Sequence, residues 1–188
     1  MPHLRCKLVG DTANSDKLSG VLHVKELDLA VVPFYDGGDG DGTIYLLPAE
    51  TTQIWNKTQA EIVQTALAAT WQAYPPRMQA LGDDMYALFA GGKETDTGRY
   101  PFGAVAMMMP GVLKQAADIL NTDFFLVPEM PDECLIIPIR GGVENEDPDE
   151  LRQILRRIHA AQFAELPSDL ILPDDIYIYR RGIGLTIA

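Results

Sequence analysis

Apolar residues fall in short clusters along the chain, and their spacing predicts the elements. Residues 4–9 (LRCKLV) read as a strand, and 11–20 (DTANSDKLSG) as a polar loop with a helical turn. LDLAVVPFY (27–35) is a strand that is apolar on both faces towards its centre. TIYLL (43–47) is another, and the Asp/Gly segment between them predicts a β-hairpin with an extended tip. Residues 49–56 form a short helix. Thr58 and Glu61 then have capping-box spacing, in which each side chain bonds the other residue's amide. The helix they open carries Ile62, Val63, Ala66, Leu67 and Ala69 as its apolar stripe and stops at Pro75-Pro76.

Further along, MYALFA (85–90) reads as a strand, 91–101 as a loop and GAVAMMM (103–109) as a strand. Pro110 is tolerated in the first turn of a helix to Leu120, with Leu113, Ala116, Ala117 and Leu120 on one face. DFFLVP (123–128) and ECLIIP (133–138) are two strands around an EMPD connection, and 140–147 is a polar loop. Asp147, Pro148 and Glu150 start a helix as cap, first-position proline and early carboxylate. Leu151, Ile154, Leu155 and Ile158 follow its i, i+3, i+4, i+7 spacing. Arg152, Arg156, Arg157 and His159 load its C-terminal end with positive charge, which the helix dipole favours. Residues 176–181 and 183–187 close as a hairpin. Paired strands between single helices predict an α+β fold, a mainly antiparallel sheet with three main helices packed on it. Neither a repeat nor a linker divides residues 1–188, so one domain is expected.

Charge narrows the partners. The formal net charge is −12. Nucleic-acid binding needs Lys and Arg to displace phosphate counterions, so it is disfavoured; an anionic membrane surface is disfavoured on the same ground. A basic protein partner remains open. The opening MPHLRCKLVGD has no apolar core of signal-peptide length, and Cys6 and Cys134 make no disulfide framework. With no apolar run of membrane-spanning length, a cytoplasmic protein is expected.

FYDGGDGDGTIYLLP (34–48) raises the question of calcium, through Asp36, Asp39 and Asp41. With Gly42 at the sixth position of an EF-hand loop, Asp39, Asp41 and Ile44 fall correctly. Gly37 then takes the first ligand position and Pro48 the place of the bidentate glutamate. The plainer reading is a hairpin tip. His3 and Cys6, with His23 and Cys134, lack a second closely spaced pair for zinc, so no cofactor is expected. Cys134 lies within an apolar strand and reads as core. Asp28 shares a face with Ala30 and Val32 and needs a partner, such as Arg5 or a backbone amide. Arg99 and Tyr100, in GRYP, and the adjacent Asp132 and Glu133, at the end of the EMPD connection, are the candidate binding residues. Walker, dinucleotide, G-x-S-x-G and H-E-x-x-H motifs are absent.

LDLAVV (27–32), MYAL (85–88), GAVAMMMPGVLKQAADILNTDFFLVP (103–128), ECLIIP (133–138) and PSDLILPDDIYIYRR (167–181) together resemble an uncharacterised bacterial family. It is a domain of unknown function seen in anaerobic gut bacteria. Asp132 stands where that family often carries His, so no role for that histidine transfers. Family members also tend to have a further N-terminal segment. The resemblance implies one recurring module and no activity. The expectation is therefore a non-enzymatic cytoplasmic binding or regulatory module. The alternatives are a hydrolase using carboxylates, which requires a pocket with two perturbed acids, and an acidic inhibitor mimicking nucleic acid, which requires acids clustered on one face.

Overall fold

The computed structural model describes residues 3–37, 43–82, 84–92, 100–139, 147–162, 172–173 and 175–188. For Glu129, Ile154, Leu155 and residues 158–162 it describes the backbone alone, so the apolar face expected of Ile154, Leu155 and Ile158 lies outside the described side chains. The fold is α+β, as expected, but its strands divide between two antiparallel sheets.

The small sheet is built on β3 (Leu29–Asp36). On one side β3 pairs along its length with β1 (Leu4–Gly10). On the other it pairs with β2 (Val24–Glu26) and then β4 (Ile44–Leu46). Pro33 sits within this central strand, where proline is normally excluded for want of an N–H. The register explains it. Pro33 faces Cys6 across β1, and the amide of Cys6 donates away from β3 to Thr70 Oγ1. The Cys6–Pro33 pair is therefore a non-hydrogen-bonded one. On its other side Pro33 falls in the gap between β2, which ends its pairing at Val31, and β4, which begins at Phe34. Among the described residues no strand partner asks Pro33 for a donor.

The large sheet runs β10-β9-β7-β8-β6-β5. Its strands are β5 (Pro76–Ala80), β6 (Tyr86–Ala90), β7 (Phe124–Met130), β8 (Glu133–Pro138), β9 (Tyr177–Arg180) and β10 (Gly184–Ile187). The anticipated hairpins 123–138 and 176–187 are both present. Two short strands, β2 and β5, lie where none was expected; β5 starts at the proline that was read only as a helix stop.

The described residues include five α-helices: α1 (Ser15–Leu18), α2 (Thr51–Trp55), α3 (Gln59–Ala73), α4 (Val112–Leu120) and α5 (Pro148–Gln162). The Thr58–Glu61 capping box is formed in full, and the amide it offers holds the Glu61 carboxyl below its ordinary range. Thr70, not Ala69, completes the buried stripe of α3 with Ile62, Val63, Ala66 and Leu67. α4 begins two residues after Pro110, behind Gly111.

The strand expected over GAVAMMM is instead a 3-10 helix, Gly103–Met108. Uniform apolarity over a short run does not separate a buried strand from a buried helix. Ala104, Val105, Ala106 and Met107 are all buried and join the main core with Leu4, Cys6, Leu8, Leu88, Phe124, Leu126, Ile136 and Tyr177. That core draws on the inner faces of both sheets. A second cluster of Phe125, Val127, Ile139, Ile176 and Ile178 occupies the other face of the large sheet, with Leu151 of α5 against it.

Candidate functional site

β1 alternates. Leu4, Cys6 and Leu8 enter the main core, so Arg5, Lys7 and Val9 take the opposite face. There Arg5 lies over the Tyr74 ring at 5.5 Å from its centroid, and Lys7 Nζ lies 5.7 Å from that of Phe102. Tyr74 stacks on Tyr100 at 4.3 Å, and Tyr100 meets Phe102 edge-on at 5.6 Å. Beyond Lys7 a cavity of about 60 Å³ is lined by Lys7, Val9, Asn14, Lys17, Leu18, Val32 and Leu46. Of its apolar walls, Val9, Leu18 and Val32 belong with Ala30 to a third cluster. Asn14 Nδ2 donates to Gly10 O at 2.9 Å, while its buried Oδ1 has no partner among the described residues. Lys7 is itself buried.

Tyr100, expected on a binding loop, is 3% exposed, and its hydroxyl donates to Cys6 O at 3.3 Å. Burial is the main reason its phenol is held well above the ordinary range. It forms the floor of this basic and aromatic face and does not reach solvent. Arg99 lies outside the described residues, as do Asp39 and Asp41. Asp36 ends β3, its amide donating to His3 O at 2.9 Å, and the hairpin continues to a Gly37–Thr43 bond of 2.9 Å. Asp132 lies in the β7–β8 turn and Glu133 opens β8; both are half-buried. Their neighbour Cys134 is fully buried against Ala104 O and Met107 Sδ. Burial raises the thiol pKa of both Cys134 and Cys6 far out of the reactive range. Among the described residues, no group of three His, Cys, Asp or Glu side chains is arranged to hold a metal ion.

A second polar cluster joins the sheets. Asp28 lies in the two-residue turn between β2 and β3, after Leu27, whose φ is +59°. Where Arg5 or an amide was expected as its partner, the Tyr177 hydroxyl, on β9, donates to Asp28 Oδ1. Burial, and then the Asp28 carboxylate, raise the Asp175 pKa. Arg152 Nε stands 3.7 Å from Asp175 Oδ1, and its other nitrogens bond Asp149 at 2.6 Å and Ala188 O. The sequence signalled Asp28 as a carboxylate in need of a partner. It gave no signal for Tyr177, which lies within an apolar strand, or for Lys7, Asn14 and Lys17, which only the fold brings together.

No helix among the described residues is long and apolar enough to cross a membrane. Neither the curated proteins nor the solved structures contain a match to this chain. Residues 1–181 match the model of a family of unknown function, DUF5688, and the chain belongs to that family.

Proposed function

We propose that this protein is a non-enzymatic binding or regulatory module, and that its ligand is a small anion received at the Lys7–Asn14–Lys17 cavity. One observation carries the reading. In a chain of net charge −12, two lysines, Lys7 and Lys17, line one apolar-walled cavity. Each ammonium has three N–H donors, so a contact already made leaves capacity for an anion. A volume of about 60 Å³ is room for about four water-sized groups. This is the scale of acetate, glycolate or phosphate.

The test is a thermal-shift panel of acetate, glycolate, phosphate and sulfate at fixed ionic strength, on the wild type and Lys17→Gln. A ligand that binds only the native state raises Tm by mass action, worth about 2.7 kcal/mol at a hundredfold excess over Kd. The expected result is a shift with at least one anion that shrinks in Lys17→Gln. Lys17 is exposed, so the substitution leaves the ligand-free Tm close to that of the wild type. Equal shifts in both proteins, or none in the wild type, overturn the proposal.

A further inference from the structure

We propose that the trough between α3 and the 3-10 helix receives a basic amphipathic helix of a partner protein. Two cavities adjoin along α3, of about 310 and 230 Å³, and both are lined by Gln64 and Leu67. Val63, Leu67 and Trp71 form one wall at i, i+4 and i+8, on the same face of the helix. Met107, Met108 and Leu113 line the other, from the 3-10 helix and α4, and Pro110 continues it beside Trp71. Val24 of β2 and Leu185 of β10 stand at the Val63 end, so the trough draws on both sheets. Among the described residues it shares no lining residue with the Lys7–Asn14–Lys17 cavity.

The shape suits a helix. From Val63 to Trp71 the α3 wall runs for about 12 Å, at 1.5 Å per residue. Apolar anchors at i, i+4 and i+7 of a docked helix span about 10 Å, so three fit along it. Val63, Leu67, Met107 and Leu113 are buried and form the floor, while Glu26, Gln64, Ala68, Gln72 and Pro110 are exposed along the mouth. An open mouth of this kind buries one face of its occupant and leaves the other in water. A small-molecule pocket instead encloses most of its ligand. Met107 and Met108 carry unbranched thioethers, which adjust to the side chains they meet.

Charge decides the polar face of that helix. Among the described lining residues Glu26 is the one charged group. α3 carries Glu61 and neither Lys nor Arg, and residues 103–113 carry no charged side chain. The cations that flank these segments in sequence are already paired: Lys25 with Asp11 at 2.6 Å and Lys114 with Asp118 at 2.7 Å. The whole chain adds the field of a net charge of −12. Lys and Arg beside the anchors of the docked helix are therefore attracted to the mouth, and Asp or Glu there are repelled.

The experiment is fluorescence anisotropy of the full chain with three labelled peptides of about 14 residues. One has leucine at the i, i+3, i+4 and i+7 positions and lysine elsewhere. The second keeps the leucines and replaces lysine with glutamate, and the third scrambles the Leu/Lys composition. The patterned Leu/Lys helix is expected to bind about tenfold tighter, or more, than either control. Ala68→Lys and Glu26→Lys each place a cation at the mouth. Both residues are exposed, so Tm stays close to that of the wild type. Affinity for the Leu/Lys helix is expected to fall about tenfold in Ala68→Lys and about threefold in Glu26→Lys. If Ala68→Lys fails to fold, Gln64→Lys replaces it with the same expectation. Equal binding of the patterned and scrambled peptides means attraction to an acidic chain alone and overturns the docking site. Unchanged affinity in Ala68→Lys, or no binding at about 1 mM peptide, overturns it as well. A rise in Tm with hexanol and no peptide binding overturns it in favour of a small apolar ligand.

Discussion

The outer edges of β1 and β5 meet the same physical problem in opposite ways. Every second residue of an edge strand points an N–H and a C=O away from the sheet. On β1 the edge turns towards the interior, where no water is available and each buried backbone group requires a protein partner. Thr70 Oγ1 accepts from the Cys6 amide at 2.9 Å, and the Tyr100 hydroxyl donates to the Cys6 carbonyl at 3.3 Å. On β5 the ladder bonds at Pro75–Gly91 and Leu81–Met85 fix the register so that Met78 and Ala80 point outwards. No strand among the described residues lies beyond β5. Its rim is a groove of about 300 Å³ shared with α4, lined by Pro76, Arg77, Met78, Val112, Gln115 and Ile119. Water can satisfy that edge, and Pro76 and Arg77 are residue types that discourage pairing with another chain. A buried edge thus needs specific side chains from distant elements, whereas an exposed edge needs only residues that deter a partner.

The comparison breaks most severely at the segment that packs beside the closed edge. A Cβ at Gly103 would stand 2.1 Å from Asp132 O and 3.0 Å from Ala90 O, both backbone atoms. Gly103→Ala must therefore displace the β7–β8 turn or the whole 3-10 helix. The expected cost is about 3 kcal/mol or more, a fall in Tm of about 6–12 °C, measured by thermal and urea unfolding. An unchanged Tm would mean that the 3-10 helix is not seated against that turn.

Thr70→Val comes next. It keeps the shape of the side chain and leaves the buried Cys6 amide without an acceptor, at a cost of about 1–3 kcal/mol. Thr70→Ser retains the oxygen and is expected to recover most of this in urea titrations. If Val and Ser behave alike, packing and not hydrogen bonding closes the edge. The smallest effect belongs to the open side. Ala80 is exposed, and Ala80→Lys is expected to change stability by about 0.5 kcal/mol or less. A loss as large as that of Thr70→Val would show that something covers β5.

Thr70 and Tyr100 also show where reading the sequence stops. The helix from Thr58 was legible in its cap, its stripe and its stop, because a capping box and 3.6-residue periodicity are local signals. Thr70 read as one more polar helical residue; its role depends on Cys6, 64 positions away. Tyr100 beside Arg99 in a glycine-rich loop read as a binding edge, and instead its ring packs on Tyr74. GAVAMMM failed as a strand because a segment buried on every side has no periodicity to report. The short β2 and β5 were missed because three to five residues hold too few alternations to be read. Of the two polar clusters, the sequence yielded Asp28 alone, as a carboxylate at the head of an apolar strand.

By itself the sequence determined the α+β class, the antiparallel hairpins at 123–138 and 176–187, the start and stop of α3 and the start of α5. These rest on neighbours within a few turns or one tight connection, so local sterics and alternation encode them. Only the tertiary structure decided that the strands form two sheets. It also decided that Lys7, Asn14 and Lys17 share a cavity and that Asp28 meets Tyr177 across 149 positions. Such contacts depend on how whole elements pack, and a single chain carries no local mark of which distant residue will lie opposite.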